Sequence, residues 1–320
     1  MELSKIYQSV QEDLVKVRNE LRSVSRIDFP WLAEQLRFVV KGSGKGIRPA
    51  LTLLAGKFYH YDLKYLLPMA AAVELMHTAT LVHDDAIDKS IVRRGKPTIN
   101  KIWGGEIAIL MGDYLFAKAG EYVSDTKNPH VIKLFSQTVA IISSGEIIQF
   151  LGAFKLEQAR ADYFHRISGK TASLFSLATE SGATLSEAPR KPVKILKDYG
   201  YNLGIAFQIA DDILDFIGSE ETLGKPVGSD LTQGTLTLPA MLLLERYPED
   251  NPVKRLFENG DKRNIEQAIE MVQNSSIVEE CYQVASEYCS LACRDLNLLP
   301  DNASRQALME LANYVIDRRE

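Results

Sequence analysis

Apolar positions along the chain recur at helical spacing almost throughout, and strand-like alternation is nearly absent. Short breaks at FYHYDLKYLLP, SDTKNPH, TLSEAPRKP, GSEETLGKPVGSD and ERYPEDNP separate the helical stretches. No low-complexity tract and no linker divides them. The pattern predicts one all-α domain over residues 1–320, a large bundle of ten or more helices enclosing a cavity. MELSKIYQSVQEDLVKVRNEL predicts an amphipathic helix with a charged face, and LLPMAAAVELMHTATLVH predicts a buried one.

The buried helix ends in LVHDDAID, which puts Asp84, Asp85 and Asp88 where apolar residues are expected. At about 100° per residue, Asp84 and Asp88 are about 40° apart around the axis, with Asp85 in roughly the same quadrant. The spacing recurs in FQIADDILDFIG as Asp211, Asp212 and Asp215, in an equally apolar setting. A helix end meeting water explains one such triplet; two predict a shared cavity. Six carboxylates around one cavity repel unless cations stand between them. Oxygen-only ligands favour a hard divalent ion, and Mg²⁺ completes its shell with waters and phosphates.

Composition then narrows the class. The chain has 320 residues, 46% hydrophobic and 25% charged, with a formal net charge of −5. That balance argues against nucleic acid as a partner. The N-terminus lacks the pattern of a secretory signal, and no run of about 18 apolar residues is apparent to span a membrane. The expectation is a cytoplasmic enzyme with no transmembrane segment. Cys281, Cys289 and Cys293 share one helical face with no histidine among them, which predicts packed thiols rather than a zinc site.

Cationic clusters supply what the carboxylates lack. KGSGKGIRP presents Lys45 and Arg48 on a Gly-rich turn, but Val39 and Gly46 occupy positions that a nucleotide P-loop fills with Gly and Ser/Thr. DKSIVRRGKPT follows the first triplet with Arg93 and Arg94, suited to bidentate contact with phosphate oxygens. GSEETLGKPVGSDL follows the second with Lys225 and Asp230. Acidic and basic groups together point to metal-bridged diphosphate chemistry.

Taken in order, GKGIRP, HTATLVHDDAID, RRGKPT, the GD at 112–113, GEIIQ, GKTASL, FQIADDILD, GKPVGSDL and GTLTLP resemble the motifs of trans-isoprenyl diphosphate synthases, the polyprenyl synthetases, over nearly the whole chain. The resemblance implies the isoprenoid synthase fold and condensation of isopentenyl diphosphate with an allylic prenyl diphosphate. It implies that Asp84, Asp88 and Asp211 ligate Mg²⁺, for which Mn²⁺ could substitute, with Asp85, Asp212 and Asp215 in support. Arg93, Lys170 and Lys225 would hold the allylic diphosphate. Lys45, Arg48, His77 and Arg94 would hold isopentenyl diphosphate, although a buried core histidine is the plainer reading of His77 alone. Lys170, Thr171 and Gln208 resemble the groups that stabilise the carbocation. A homodimer is implied as well.

Two positions depart from the family pattern: Gly46 and Thr235 stand where a basic residue is usual, which predicts retuned affinity. Chain length is read from Ala79 and Thr80, about one turn before Asp84, and from Met76 deeper along the helix. None is aromatic, which predicts a medium- or long-chain product whose floor comes from another helix. The alternatives are a short-chain geranylgeranyl or farnesyl diphosphate synthase, a class I terpene cyclase, a subunit of a heteromeric synthase, and a metal-binding helical scaffold.

Overall fold

The computed structural model describes residues 2–41, 44–219 and 226–317. Its helices are α1 Leu3–Ile6, α2 Gln11–Ser23, α3 Pro30–Lys41, α4 Ile47–Gly56, α5 Leu63–Ile87, α6 Ile99–Trp103, α7 Gly105–Asp125, α8 Pro129–Gly152, α9 Arg160–Ile167, α10 Ser173–Leu185 and α11 Arg190–Ile217. After the second acidic motif come α12 Ser229–Thr232, α13 Leu238–Arg246, α14 Pro252–Asn259, α15 Arg263–Gln273, α16 Ile277–Cys293 and α17 Ala303–Asp317. The chain is thus all-α, apart from two-residue strands β1 Val92–Arg93 and β2 Lys96–Pro97.

At the centre of the bundle runs α5, packed by α4, α7 and α10. Ala70, Ala71, Ala72, Val73, Leu75 and Met76 are fully buried, and the alanine run lets neighbouring helices approach closely. Each large side chain buried this way contributes roughly 1.5–3 kcal/mol. The Asp62 carboxylate caps α5 by accepting from the Lys64 amide. Pro68 therefore falls inside the helix rather than in a break before it. Burial of the surrounding turns outweighs the lost backbone hydrogen bond.

One further expectation is corrected, and two features are added. The N-terminal segment is not one helix: a 3₁₀ turn at Gln8–Val10 separates α1 from α2 and turns Ile6 and Tyr7 into the core, with α1 against α17. The arginine motif after α5 is a β-hairpin, pairing Val92 with Pro97 and Arg93 with Lys96. And two helices, α5 and α8, are long and apolar enough to cross a membrane by length and composition. Of these, α5 is the core helix. In α8, by contrast, much of the apolar surface is exposed, at Ile141, Ile147, Ile148, Phe150 and Leu151, and on α7 Ile109 and Leu110 are exposed as well.

Cys281 and Cys289 are buried and Cys293 is half-buried, all as free thiols. Burial raises the pKa of each, which suits packing rather than reactivity.

Candidate active site

Side chains of α4, α5, α8, α9, α11 and α12, with the loops that flank them, surround a cavity of about 960 Å³. Thr80, Asp84 and Asp88 follow one another at i, i+4, i+8 down the face of α5 that lines it. Asp211 and Asp212 line it from α11, and Asp230 from α12. The two acidic motifs therefore meet across one space, as their repetition predicted.

Asp85 and Asp215 turn elsewhere. Asp85 accepts from Arg93 Nε at 2.8 Å. Asp215 is fully buried and accepts from Ser229 Oγ at 2.9 Å and the Asp230 amide at 3.0 Å. Neither lines the cavity. One orients an arginine and the other fixes the loop that carries Asp230, so the expectation of a single face bearing the whole triplet holds for Asp84 and Asp88 only.

Burial, with the neighbouring carboxylates added to it, shifts two of these groups. Burial pushes the Asp88 carboxyl above the usual range, and Asp84 and Asp230 add to the shift against Lys170 and Arg93. Asp212 is pushed up to about 7 by burial and then by Asp230, although it accepts from Gln208 Nε2 at 2.8 Å and from the Tyr163 hydroxyl at 2.7 Å. Carboxylates that resist ionisation beside one another are what a divalent cation relieves. No group of three His, Cys, Asp or Glu side chains among the described residues is gathered tightly enough to hold an ion alone. That donor set fits Mg²⁺ completed by waters and phosphate oxygens rather than a closed protein cage.

Lys170 and Thr171 come from a five-residue π-helical turn, Ser168–Ala172, between α9 and α10. Such turns insert a residue into the helical ladder and re-aim side chains, and they are frequent at functional sites. Lys170 Nζ lies 2.8 Å from Glu146 Oε1 on α8 and 3.5 Å from Asp84 Oδ2. Burial by itself would lower the Lys170 pKa; Asp84 and Glu146 outweigh it and raise it. Thr171 Oγ1 donates to Gln208 Oε1 at 2.5 Å, so these two side chains are locked together on the cavity wall.

The basic wall gathers as expected from sequence. Arg94 and Gly95 occupy the left-handed region at φ 52° and 70°, the signature of a two-residue hairpin turn, and Gly95 makes this inexpensive. The turn brings the Arg94 guanidinium against Gly44, where a Cβ would meet Nη2 at 2.8 Å. Arg48 stacks on the Phe175 ring at 4.8 Å and leaves a buried Nε–H without an acceptor. Burial pushes the Arg48 pKa down to about 10 against the pull of Glu74 and Asp211. Burial, then Arg48 and Arg94, holds His77 well below its ordinary value, so it is a neutral imidazole in the cavity rather than in the core. Lys45 donates to the Tyr314 hydroxyl at 3.0 Å. Lys225 lies outside the described residues.

Glu74, Gln149 and Arg166 also line the cavity, though no sequence argument selected them individually. Glu74 sits one helical turn before His77 on the face of Asp84, and that periodicity could have found it. Of the chain-length positions, Thr80 lines the cavity with Leu81, Ile142 and Phe207. Ala79 and Met76 are fully buried on the neighbouring stripe of α5. That stripe continues to His83, whose Nε2 lies 3.0 Å from the Ile109 carbonyl, so it faces α7.

A helical bundle with two facing acidic motifs and a basic rim defines an isoprenoid-synthase-type protein. The family model described as polyprenyl synthetase matches residues 29–277, and the chain belongs to that family of prenyltransferases. It is 36% identical over 319 residues to heptaprenyl diphosphate synthase component 2 of Bacillus subtilis (strain 168), covering 100% of this chain and 92% of the relative. Among solved structures, heptaprenyl diphosphate synthase from Staphylococcus aureus superposes with a TM-score of 0.93 at 35% identity, covering 97% of this chain and 99% of that one. A polyprenyl synthase from Caulobacter crescentus CB15, complexed with calcium and isoprenyl diphosphate, also superposes with a TM-score of 0.93, at 34% identity, covering 100% of this chain and 98% of that one.

Proposed function

We propose that this protein condenses isopentenyl diphosphate head-to-tail with an allylic prenyl diphosphate to give an all-trans polyprenyl diphosphate of medium or long chain. The observation that carries the reading is the meeting of Asp84 and Asp88 with Asp211 and Asp212 across one cavity whose other walls bring Arg48, Arg93, Arg94 and Lys170. Mg²⁺, or Mn²⁺ in its place, held by Asp84, Asp88 and Asp211 and supported by Asp212, would neutralise charge on the departing diphosphate. Lys170 and Arg93, with Lys225, hold the allylic diphosphate. Lys45, Arg48, neutral His77 and Arg94 orient isopentenyl diphosphate, and this positioning supplies much of the rate. The locked Thr171–Gln208 pair presents oxygens to the developing cation beside the Phe207 ring. The released diphosphate, rather than a side chain, takes the proton.

The growing chain leaves this polar chamber past Thr80, where Ile142 and Phe207 make the wall apolar. Small side chains at Ala79 and Thr80, with unbranched Met76 below, favour continued growth between α5 and α7. Relatives and neighbours named as heptaprenyl diphosphate synthases support a product of this class. The same name, component 2, supports a second reading in which this chain works as one subunit of a heteromer. We favour a homodimer formed through the apolar α7–α8 face, within one polyprenyl synthetase domain over 1–320, in the cytoplasm.

The decisive experiment incubates purified protein with Mg²⁺, labelled isopentenyl diphosphate and farnesyl or geranylgeranyl diphosphate, and resolves dephosphorylated products by length. A ladder ending well beyond geranylgeranyl supports the proposal. Products that stop at farnesyl or geranylgeranyl make this a short-chain synthase, and diphosphate release without elongation makes it a cyclase. Light scattering of the active species separates the homodimer from a chain that needs a partner.

A further inference from the structure

One wall of the cavity holds a buried guanidinium that no carboxylate among the described residues meets in an ion pair. Arg166, in the last turn of α9, is 6% exposed. Its Nη1 donates to Gln158 Oε1 at 3.2 Å, its Nη2 donates to the Leu236 carbonyl, and the Tyr163 ring lies 5.5 Å from the guanidinium carbon. All three partners are neutral. Among the described residues Arg166 makes no ion pair; Asp212 accepts from Tyr163 and Gln208, and Arg166 acts on it only through space, favouring its charged form. Holding two neutral acceptors together asks only for a neutral donor, whereas burying a guanidinium for that purpose carries a desolvation cost. Part of the charge therefore acts on the Asp212 carboxyl through space, while no ion pair among the described residues consumes it.

That charge opens onto the site. Arg166 lines the cavity, as do Asp212, Thr235 and Thr237. The carbonyl it engages, that of Leu236, lies between Thr235 and Thr237. Thr235 offers this wall a hydroxyl and no charge. We infer that Arg166 is a binding residue for the metal-bridged allylic diphosphate, reaching it from the α9 wall and supplying the charge that Thr235 does not. The inference rests on the function proposed above and names a contact within it.

Binding of inorganic pyrophosphate with Mg²⁺, read as a thermal shift and by titration calorimetry, tests this without requiring turnover. In Arg166→Gln, pyrophosphate affinity and the KM for the allylic substrate should each worsen roughly 10- to 100-fold, the span of a charge-assisted hydrogen bond. The KM for isopentenyl diphosphate should stay within about twofold, since that site lies on the other wall. Adding Thr235→Lys to Arg166→Gln should recover most of the lost affinity. Unchanged pyrophosphate binding, equal changes in both KM values, or no rescue by Thr235→Lys would overturn the inference and leave Arg166 a strut. Should Arg166→Gln fail to fold, Thr235→Lys in the native background decides: pyrophosphate binds several-fold tighter if this wall receives the anion, and no change refutes it. Failure of the wild-type protein to elongate any allylic primer would sink the proposed function instead, leaving the pyrophosphate result to judge Arg166 separately.

Discussion

Arg93 Nε donates to Asp85 Oδ1 across 2.8 Å, so the middle carboxylate of the first acidic motif serves the neighbouring arginine rather than the cavity. Burial raises the Asp85 pKa and Arg93 counters it. Removing Arg93 leaves a buried carboxylate without its ion pair, and removing Asp85 leaves the half-exposed Arg93 side chain without its anchor. Asp85→Asn and Arg93→Gln should each lower kcat/KM about 10²-fold, consistent with breaking a partly buried pair. The double variant should be little worse than either single one. Steady-state kinetics on the four proteins of this cycle measure the coupling, and simple additivity of the two losses would refute it.

Lys170 bridges Glu146 and Asp84 from the π-helical turn. Lys170→Met should cut kcat by roughly 10²–10³-fold, since the allylic diphosphate loses a cation and two carboxylates lose their counter-charge. Lys170→Arg should retain more activity while raising the allylic KM, because a planar fork cannot occupy the same point between Glu146 and Asp84. Product release from single turnovers checks that chemistry, not dissociation, has slowed.

Asp212 predicts a pH dependence of stability. Its carboxyl is pushed up to about 7 in the folded protein against an ordinary value of 3.8. The folded state therefore binds the extra proton between those values, and stability contributed by the protonated group is lost as pH rises through that window. Asn mimics the protonated form. Without metal, Asp212→Asn should gain in Tm relative to the wild type as pH rises from about 5 to about 8. Mg²⁺ with pyrophosphate should close that gap by stabilising the charged form. A Tm difference independent of pH would contradict the assignment.

Gly182 marks a place where two helices touch through their backbones. A Cβ there would meet the Thr52 carbonyl oxygen of α4 at 2.2 Å. A carbonyl within a helix cannot swing aside as a side-chain tip can, so Gly182→Ala must push α10 away from α4. The expected cost is about 1–3 kcal/mol, visible as an earlier thermal unfolding transition. An unshifted transition would mean that the two helices part more easily than their packing indicates.

Much of this protein is legible in one dimension. Helical periodicity is local, and a repeated acidic spacing in apolar helices cannot be satisfied without a common cavity, so the all-α fold, Asp84, Asp88, Asp211 and the basic clusters around Lys45, Arg48, Arg93 and Arg94 follow from the sequence itself. Where a side chain points within a turn is not local. The division of labour between Asp84 and Asp85 depends on a hairpin folding back to place Arg93, and the seating of Asp215 depends on the loop that brings Ser229. Lys170 and Thr171 owe their direction to one extra residue in a helical turn, which leaves no periodic trace. Arg166 had no sequence signal at all: an arginine near a helix end is ordinarily solvated, and only the packing of α9 beneath the Leu236 loop decides that this one is buried and lines the cavity.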